Sequence, residues 1–350
     1  MKRMTYMSNF SRPLSHTEIQ SIGAHSSRRN AEDGITGVLL TLGSVFFQII
    51  EGDDTAIDDL YRRVLADDRH TDVICLGAET AVEHRLFPDW SMNVVELDRL
   101  GGDAVGPLKL LLGRMGEAQT IIERYTQPAV SRIMTEGRNP LDVPLRKVDR
   151  IVLFTDVVSF SAISDRLPIE AVAELVGTYL ETCSVGIARH GGEVTKFLGD
   201  GVMAYFDVED ADGALEACRD IQAELTRIRD SASERSGLRL LYSGFGLSLG
   251  SVLEGSMGSS IKMDYTIIGE PVNTAAKLEA LTRTVGRPVL MTSDVVDATH
   301  RPWDTDQLGD FDLGRDELMA VHALRTGADD GWKARETVTR GLEAMVDGSR

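Results

Sequence analysis

The chain lacks the material for several kinds of protein. Its three cysteines, Cys75, Cys183 and Cys218, show no CxxC spacing. That excludes a disulfide framework or a cysteine zinc site and fits a reducing cytoplasm. No apolar run approaches a membrane span, and the start, MKRMTYMSNFSRPLS, has no apolar core of signal-peptide length. Positive charge is scarce: 37 Lys and Arg stand against 55 Asp and Glu, a net charge of −18. This balance argues against nonspecific binding to nucleic acid or to an acidic membrane surface. It also means that an anionic ligand must be drawn by a local basic site or by bound metal. Internal repeats and low-complexity tracts are absent. A soluble, cytoplasmic protein is expected. With 350 residues it has material for two or three domains.

The first hundred residues alternate strand and helix signals. Residues 2 to 10 read as a strand. Ser15 and Glu18 form a capping box ahead of an apolar helix face that begins at Ile19 and Ile22. Ile35 to Leu42 and Val45 to Gly52 read as a hairpin turned at Gly43 and Ser44. Ile57, Leu60, Tyr61, Val64 and Leu65 mark a second helix; Asp72 to Val82 is another strand, and Val94 to Leu97 a further one. The order βαββαββ predicts a ferredoxin-like α+β sandwich over residues 1–98.

Residues 107 to 125 predict a helix in which Leu108, Leu111, Met115, Ala118, Ile122 and Tyr125 step by three and four. That is a coiled-coil seam interrupted by Gly113 and Gly116. Pro128, Gly137, Pro140 and Pro144 punctuate a linker with a short helix near Ala129 to Met134. Residues 99–147 are thus expected to be a connector. A further domain covers 148–326, and a charged tail with a short amphipathic segment covers 327–350.

The stretch GGEVTKFLGD, Gly191 to Asp200, organises the second half. Val194, Phe197 and Leu198 give a strand, Gly199 to Gly201 a tight turn, and Val202 to Phe206 the returning strand. Asp200 stands at the tip, and Asp156 closes the strand Ile151 to Asp156. Either Asp alone reads as a solvated strand-end or turn residue. Together they can hold divalent ions against a triphosphate.

FTDVVSFS (Phe154 to Ser161), GGEVTKFLGDGVMAYF and DYTIIGEPVNTAAKLEA (Asp264 to Ala280) together resemble the class III nucleotidyl cyclase catalytic domain. The resemblance implies an α/β domain around a central, mostly antiparallel sheet. It implies two Mg²⁺ or Mn²⁺ ions on Asp156 and Asp200, with the Val157 carbonyl adding a contact. The segment through Phe160 caps the triphosphate. Lys196 and Thr266 read the purine, and Asn273 orients the ribose. The family is dimeric, with metal ligands and purine contacts drawn from opposite protomers, so a homodimer with two interfacial sites is expected. Lys196 favours ATP; a guanine-selective site would place an acidic residue there. Two positions depart from the family. Lys277 stands where an Arg stabilises the transition state, and a point charge lacks the bidentate fork. Leu313 stands where a phosphate-binding Lys is common, with Arg315 nearby.

Tyr6, Ser8, Asn30, ITGVL, FFQIIEG with Gln48, DDRH (Asp67 to His70), and FPDWSM with Trp90 and Met92 resemble a BLUF domain. That family senses blue light through a noncovalent flavin, FAD or FMN. The resemblance implies that Tyr6 hydrogen-bonds Gln48, that Gln48 contacts the flavin ring, and that Asn30 holds a flavin carbonyl. Trp90 and Met92 are further candidates. A phenol can donate an electron and a proton, and an amide can exchange its donor and acceptor ends with little change in volume. A light-regulated adenylyl cyclase activity follows. The alternatives are a guanylyl cyclase, which Lys196 disfavours, and a flavin sensor whose degenerate cyclase domain only binds nucleotide or a partner.

Overall fold

The computed structural model describes all residues except 102–104, 260, 314–317, 327–331 and 348–350; the side chains of 105, 119–120, 122–124 and 346–347 are also left out. The chain divides into two compact units, Met1–Val143 and Pro144–Arg350. Among the described residues no helix is long and apolar enough to cross a membrane, and all three cysteines are free and buried.

The first unit runs β1 (Lys2–Phe10), α1 (His16–Glu32), β2 (Thr36–Leu42), β3 (Val45–Gly52), α2 (Asp54–Leu65), β4 (His70–Glu79) and β5 (Asn93–Glu96). Its sheet has the order β4-β1-β3-β2-β5. The expected capping box is present, since Ser15 accepts from the Glu18 amide and Glu18 reaches back to the Ser15 amide. Both helices pack on one face, over a core of Met4, Tyr6, Ile35, Leu39, Phe46, Ile50, Ile57 and Tyr61. Register places Tyr6 opposite Gln48 on adjacent antiparallel strands, so their side chains leave the same face.

Two helices follow, α3 (Val105–Tyr125) and α4 (Pro128–Thr135). On α3, Leu108, Leu111, Met115 and Tyr125 of the expected seam are exposed. On α4, Ala129 and Ile133 are buried, and the Thr135 carbonyl accepts from the Tyr61 hydroxyl at 2.5 Å.

The second unit contains β6 (Arg146–Val157), α5 (Phe160–Ser164), α6 (Ile169–Arg189), β7 (Glu193–Leu198), β8 (Gly201–Phe206), α7 (Ala211–Ser231), β9 (Ser243–Gly258), β10 (Met263–Ile268), α8 (Glu270–Val285), β11 (Val289–Thr292), α9 (Ser293–Asp297), β12 (Thr305–Phe311), β13 (Met319–Leu324) and α10 (Ala334–Asp347). The sheet order is β12-β13-β11-β9-β6-β8-β7, with β10 paired to β9. Among the described residues of this sheet only the β11–β9 pairing is parallel, so the sheet is mostly antiparallel, as the family resemblance implies. One face carries α6 and α7 over a core that includes Leu153, Tyr179, Cys183, Phe206, Leu215, Ile221 and Leu247. Val338 and Leu342 of α10 join that same core. The strands β9 and β10 form a two-stranded ribbon: β9 runs on to Gly258 and β10 starts at Met263.

The other face carries α8, which lies unusually close to β9. A Cβ on Gly246 would stand 2.1 Å from the Ala275 carbonyl oxygen, and one on Gly244 only 2.3 Å from Thr282 Oγ1. Glycine at these alternate positions is what lets the helix backbone approach the strand.

Candidate functional site

In the first unit a cleft between α1 and α2 is lined by Ile22, Leu39, Phe46, Leu60 and Val64, with Asn30, Gln48 and Met92 among its polar and polarisable groups and Arg29, Arg63 and Arg69 also on its walls. An apolar slot with amides and nearby cations suits a flat heteroaromatic ring bearing a phosphate tail, so these residues fit a flavin. Tyr6 is fully buried and donates its hydroxyl to Gln48 Oε1. Burial pushes the phenol well above its ordinary range. Gln48 Nε2 turns to Met92 Sδ at 3.4 Å. The Tyr6 and Tyr61 rings pack at 5.4 Å. Asn30, also buried, donates to the Ser91 carbonyl at 3.0 Å, and Ser8 Oγ meets His70 Nδ1 at 2.7 Å. Six expected positions therefore behave unequally. Tyr6, Gln48, Asn30 and Met92 line the cleft, and Ser8 is tied to a lining residue. Trp90 departs: it is 40% exposed, stacks on Phe87 at 5.4 Å and does not line the cleft.

The loop carrying Trp90 is anchored by a residue that sequence reasoning missed. Glu51 has no exposed surface, accepts from the Leu86 and Phe87 amides at 2.9 and 3.1 Å, and binds Arg3 Nε at 2.7 Å. These bonds outweigh burial and hold its carboxyl below the usual range.

In the second unit Asp156 and Asp200 come together. Asp156 is the penultimate residue of β6 and lies opposite Gly244. Beneath it, Thr155, Tyr179 and Ser243 close a buried triangle of hydroxyls with edges of 2.7, 2.6 and 2.8 Å, which fixes the strand end. Asp200 sits in the β7–β8 turn. Burial and the neighbouring Asp156 charge raise its carboxyl above the usual range, eased by the Val157 backbone amide. A carboxylate so disfavoured gains from an added cation. Two hard oxygen donors suit Mg²⁺ or Mn²⁺, with the rest of the shell left to backbone oxygens, water and phosphate. Among the described residues no third His, Cys, Asp or Glu completes a metal cluster. After Asp156 the chain turns through Ser159, a non-glycine residue in the left-handed region (φ 60°), which swings Phe160 into the first turn of α5, half-buried against the core.

Lys196 on β7 and Thr266 on β10 also converge. Lys196 Nζ binds Asp264 Oδ2 at 2.6 Å, and Thr266, two residues on, is buried. Asp264 was not singled out in sequence; its signal was an acidic residue on the same strand face as Thr266. Asn273 and Lys277 stand one turn apart on the exposed face of α8. Lys277 Nζ donates to the Leu313 carbonyl, while the Leu313 side chain is buried with Leu278, Leu290 and Val321. Arg315 lies outside the described residues. On the inner side of α8, Glu279 and Arg283 face Asp156: Arg283 Nη2 donates to Asp156 Oδ1 and to Glu279 Oε1. Burial and Asp156 push the Glu279 carboxyl well above its ordinary range. Neither residue was anticipated. The available signal was an i,i+4 charge pair on a stripe shared with Ala275, Leu278 and Thr282.

These geometries define a sensor-type α+β unit followed by a unit with the carboxylate pair and sheet of a nucleotide cyclase. The family described as "Sensors of blue-light using FAD" (BLUF) matches residues 1–93, and the adenylate and guanylate cyclase catalytic domain matches residues 144–325. The chain belongs to the class III nucleotidyl cyclases, here joined to a BLUF domain. It is similar to the beta subunit of photoactivated adenylate cyclase from Euglena gracilis, 31% identical over 84% of this chain and 34% of that protein. The alpha subunit from the same organism is 30% identical over 84% of this chain and 29% of that protein. The chain thus spans about a third of the curated relatives it matches. A solved bacterial light-regulated adenylyl cyclase superposes with a TM-score of 0.88 at 38% identity, covering 99% of this chain and 100% of that one.

Proposed function

We propose that the protein is a blue-light-regulated adenylyl cyclase that converts ATP to 3′,5′-cyclic AMP and pyrophosphate in a homodimer. The observation that carries the choice of ATP is the Lys196–Asp264 pair beside Thr266. Lys196, oriented by Asp264, donates to a purine ring nitrogen, and Thr266 accepts from the exocyclic amine. Asn273 orients the ribose so that its 3′-oxygen lies in line with the α-phosphorus. As the 3′-O–P bond forms and the bond to pyrophosphate breaks, Lys277 offers its charge to the α-phosphate. Asp156 and Asp200 would hold two Mg²⁺ or Mn²⁺ ions, which neutralise the triphosphate and favour the ionised 3′-hydroxyl.

Apolar side chains stand open on the strands that carry Lys196 and Thr266, namely Phe197 and Leu198 on β7 and Met263 and Ile268 on β10, and within the first unit Leu111 and Met115 stand open on α3. Such surface supports a second copy of the chain completing each site. In the first unit, Asn30, Gln48 and Met92 would border FAD, which supplies the blue-light absorption. Tyr6 and Gln48 then act as the switch, because reversing the Gln48 amide exchanges donor for acceptor toward Tyr6.

The test is a cyclic-nucleotide assay on purified protein, dark and lit, with ATP and GTP. Cyclic AMP made from ATP faster in light is the expected result. Cyclic GMP as the main product would overturn the purine assignment. No product from either nucleotide would favour a sensor that only binds nucleotide, the reading to which the engagement of Lys277 by Leu313 also speaks.

A further inference from the structure

We infer that Arg283 is a resident counter-ion of the catalytic metal site: it binds Asp156, competes with a divalent ion for that carboxylate, and so sets the metal concentration the enzyme requires. The inference rests on the reading of Asp156 and Asp200 as metal carboxylates.

Three observations place Arg283 in this role. Its Nη2 donates to Asp156 Oδ1, on one of the two carboxylates available to metal. The same guanidinium is also held by Glu279, Nη2 to Oε1 at 2.9 Å and Nη1 to Oε2 at 3.3 Å. Glu279 is 6% exposed, so this grip is built into the packed interior. Finally, the approach is fixed by backbone. Asp156 pairs with Gly244, and at Gly244 a side chain would come within 3.0 Å of Glu279 Oε1. The glycine lets α8 seat Glu279 and Arg283 directly over the Asp156 strand end.

The physical consequence is competition. A carboxylate oxygen that accepts a charge-assisted bond from Arg283 cannot also give its full charge to a metal. Metal entry therefore exchanges one cation for another. Glu279 makes the exchange feasible, because the guanidinium that leaves Asp156 keeps its contact with Glu279, four residues away on its own helix. In the resting state Arg283 relieves the repulsion between Asp156 and Asp200; in the loaded state it stands back on Glu279. It is a positioning residue, which touches neither nucleotide nor reacting atoms in this account.

The experiment is a Mn²⁺ titration of the metal-free, full-length protein in the dark, followed by the loss of free-Mn²⁺ electron paramagnetic resonance signal. Arg283→Gln should bind Mn²⁺ at least about tenfold more tightly than wild type, the scale of one charge-assisted hydrogen bond removed from the competitor. Arg287→Gln, which removes an equal charge four residues further on and beyond the end of α8, should bind as wild type does. Unchanged or weaker binding by folded Arg283→Gln would overturn the inference, as would equal tightening in Arg287→Gln, which would reduce the effect to general electrostatics. If Arg283→Gln fails to fold, as judged by circular dichroism, Arg283→Lys serves instead. Its shorter amine reaches Asp156 or Glu279 but not both, and tightening of several-fold is expected; none would count against the counter-ion. If Asp156→Asn leaves wild-type Mn²⁺ binding intact, the metal-site reading itself fails, a result distinct from failure at Arg283.

Discussion

Lys277 donates its ammonium to the backbone carbonyl of Leu313. The two positions at which this chain departs from the cyclase pattern are thus in contact, and the buried leucine supplies an acceptor where a second cation would otherwise stand. A lysine held this way is tethered, with one of its three donors spent on Leu313. Lys277→Arg should raise lit turnover with little change in KM, because a planar guanidinium can keep a bond to Leu313 and still present a donor. Lys277→Ala should lower kcat by about 10²-fold, the scale of one lost preorganised donor. Steady-state kinetics on both variants check this; full activity in Lys277→Ala would make the residue a mere tie to Leu313.

Complementation checks the shared site. Asp200→Ala and Asn273→Ala should each be nearly inactive as homodimers. Mixed dimers should regain part of the activity, because one of their two sites receives both intact sets. Verified heterodimers with no activity would argue that each protomer works alone.

Purine choice should follow the β7–β10 pair. Replacing Lys196 with Glu and Thr266 with Ala should weaken ATP cyclisation and admit GTP, since a mismatched buried hydrogen bond costs about 1–3 kcal/mol. Asp264→Asn should lower kcat/KM for ATP through loss of the Lys196 anchor. An unchanged ATP to GTP ratio in a folded Lys196 and Thr266 double variant would remove these residues from base recognition.

The sensor offers a separation of two tyrosines. Tyr6→Phe removes the bond to Gln48 and should abolish the reversible red shift of the flavin band. Tyr61→Phe keeps the ring against Tyr6 but loses the bond to Thr135 on α4. It should keep the red shift and reduce the lit-to-dark activity ratio. A normal ratio in Tyr61→Phe would show that this bond only steadies α4.

Acid should act through buried carboxylates. Glu51 and Glu254 both have carboxyls held below their usual range, each against the cost of burial: Glu51 by the Leu86 amide and Arg3, Glu254 by Arg146 and Tyr265. A carboxyl with a lowered folded pKa stabilises above its unfolded value and loses that contribution as pH falls. Melting temperature should therefore hold above about pH 5 and drop below about pH 4, the unfolded Glu range. Glu51→Gln should melt lower at pH 7 and show a shallower acid slope. An unaltered slope would mean that other groups carry the acid response.

Much of the fold was legible because it rests on local pattern. The Ser15–Glu18 box, the Gly43–Ser44 turn and the periodic face of α2 each announce themselves within a dozen residues. What stayed hidden depends on distance along the chain. Lys196 and Asp264 are brought together by the ribbon of β9 and β10. The Thr155–Tyr179–Ser243 triangle joins three elements through ordinary hydroxyls. Val338 and Leu342 read as one amphipathic stripe, but nothing local told which core they enter. Trp90 had the right neighbours in sequence, yet its ring found Phe87 first.

The seating of α8 on the glycines of β9 also has a mechanical meaning. Asn273 and Lys277 ride on one flank of this rod, Glu279 and Arg283 on the other. With helix backbone against strand backbone at Gly246, and the Thr282 and Glu279 side chains against Gly244, the rod has no clearance to tilt inward, and its free motions are to slide along the strand or to lift off it. Either motion displaces both flanks at once. One stiff lever therefore ties the residues that meet the nucleotide to those that guard the carboxylates, and an adjustment made on either flank is felt on the other.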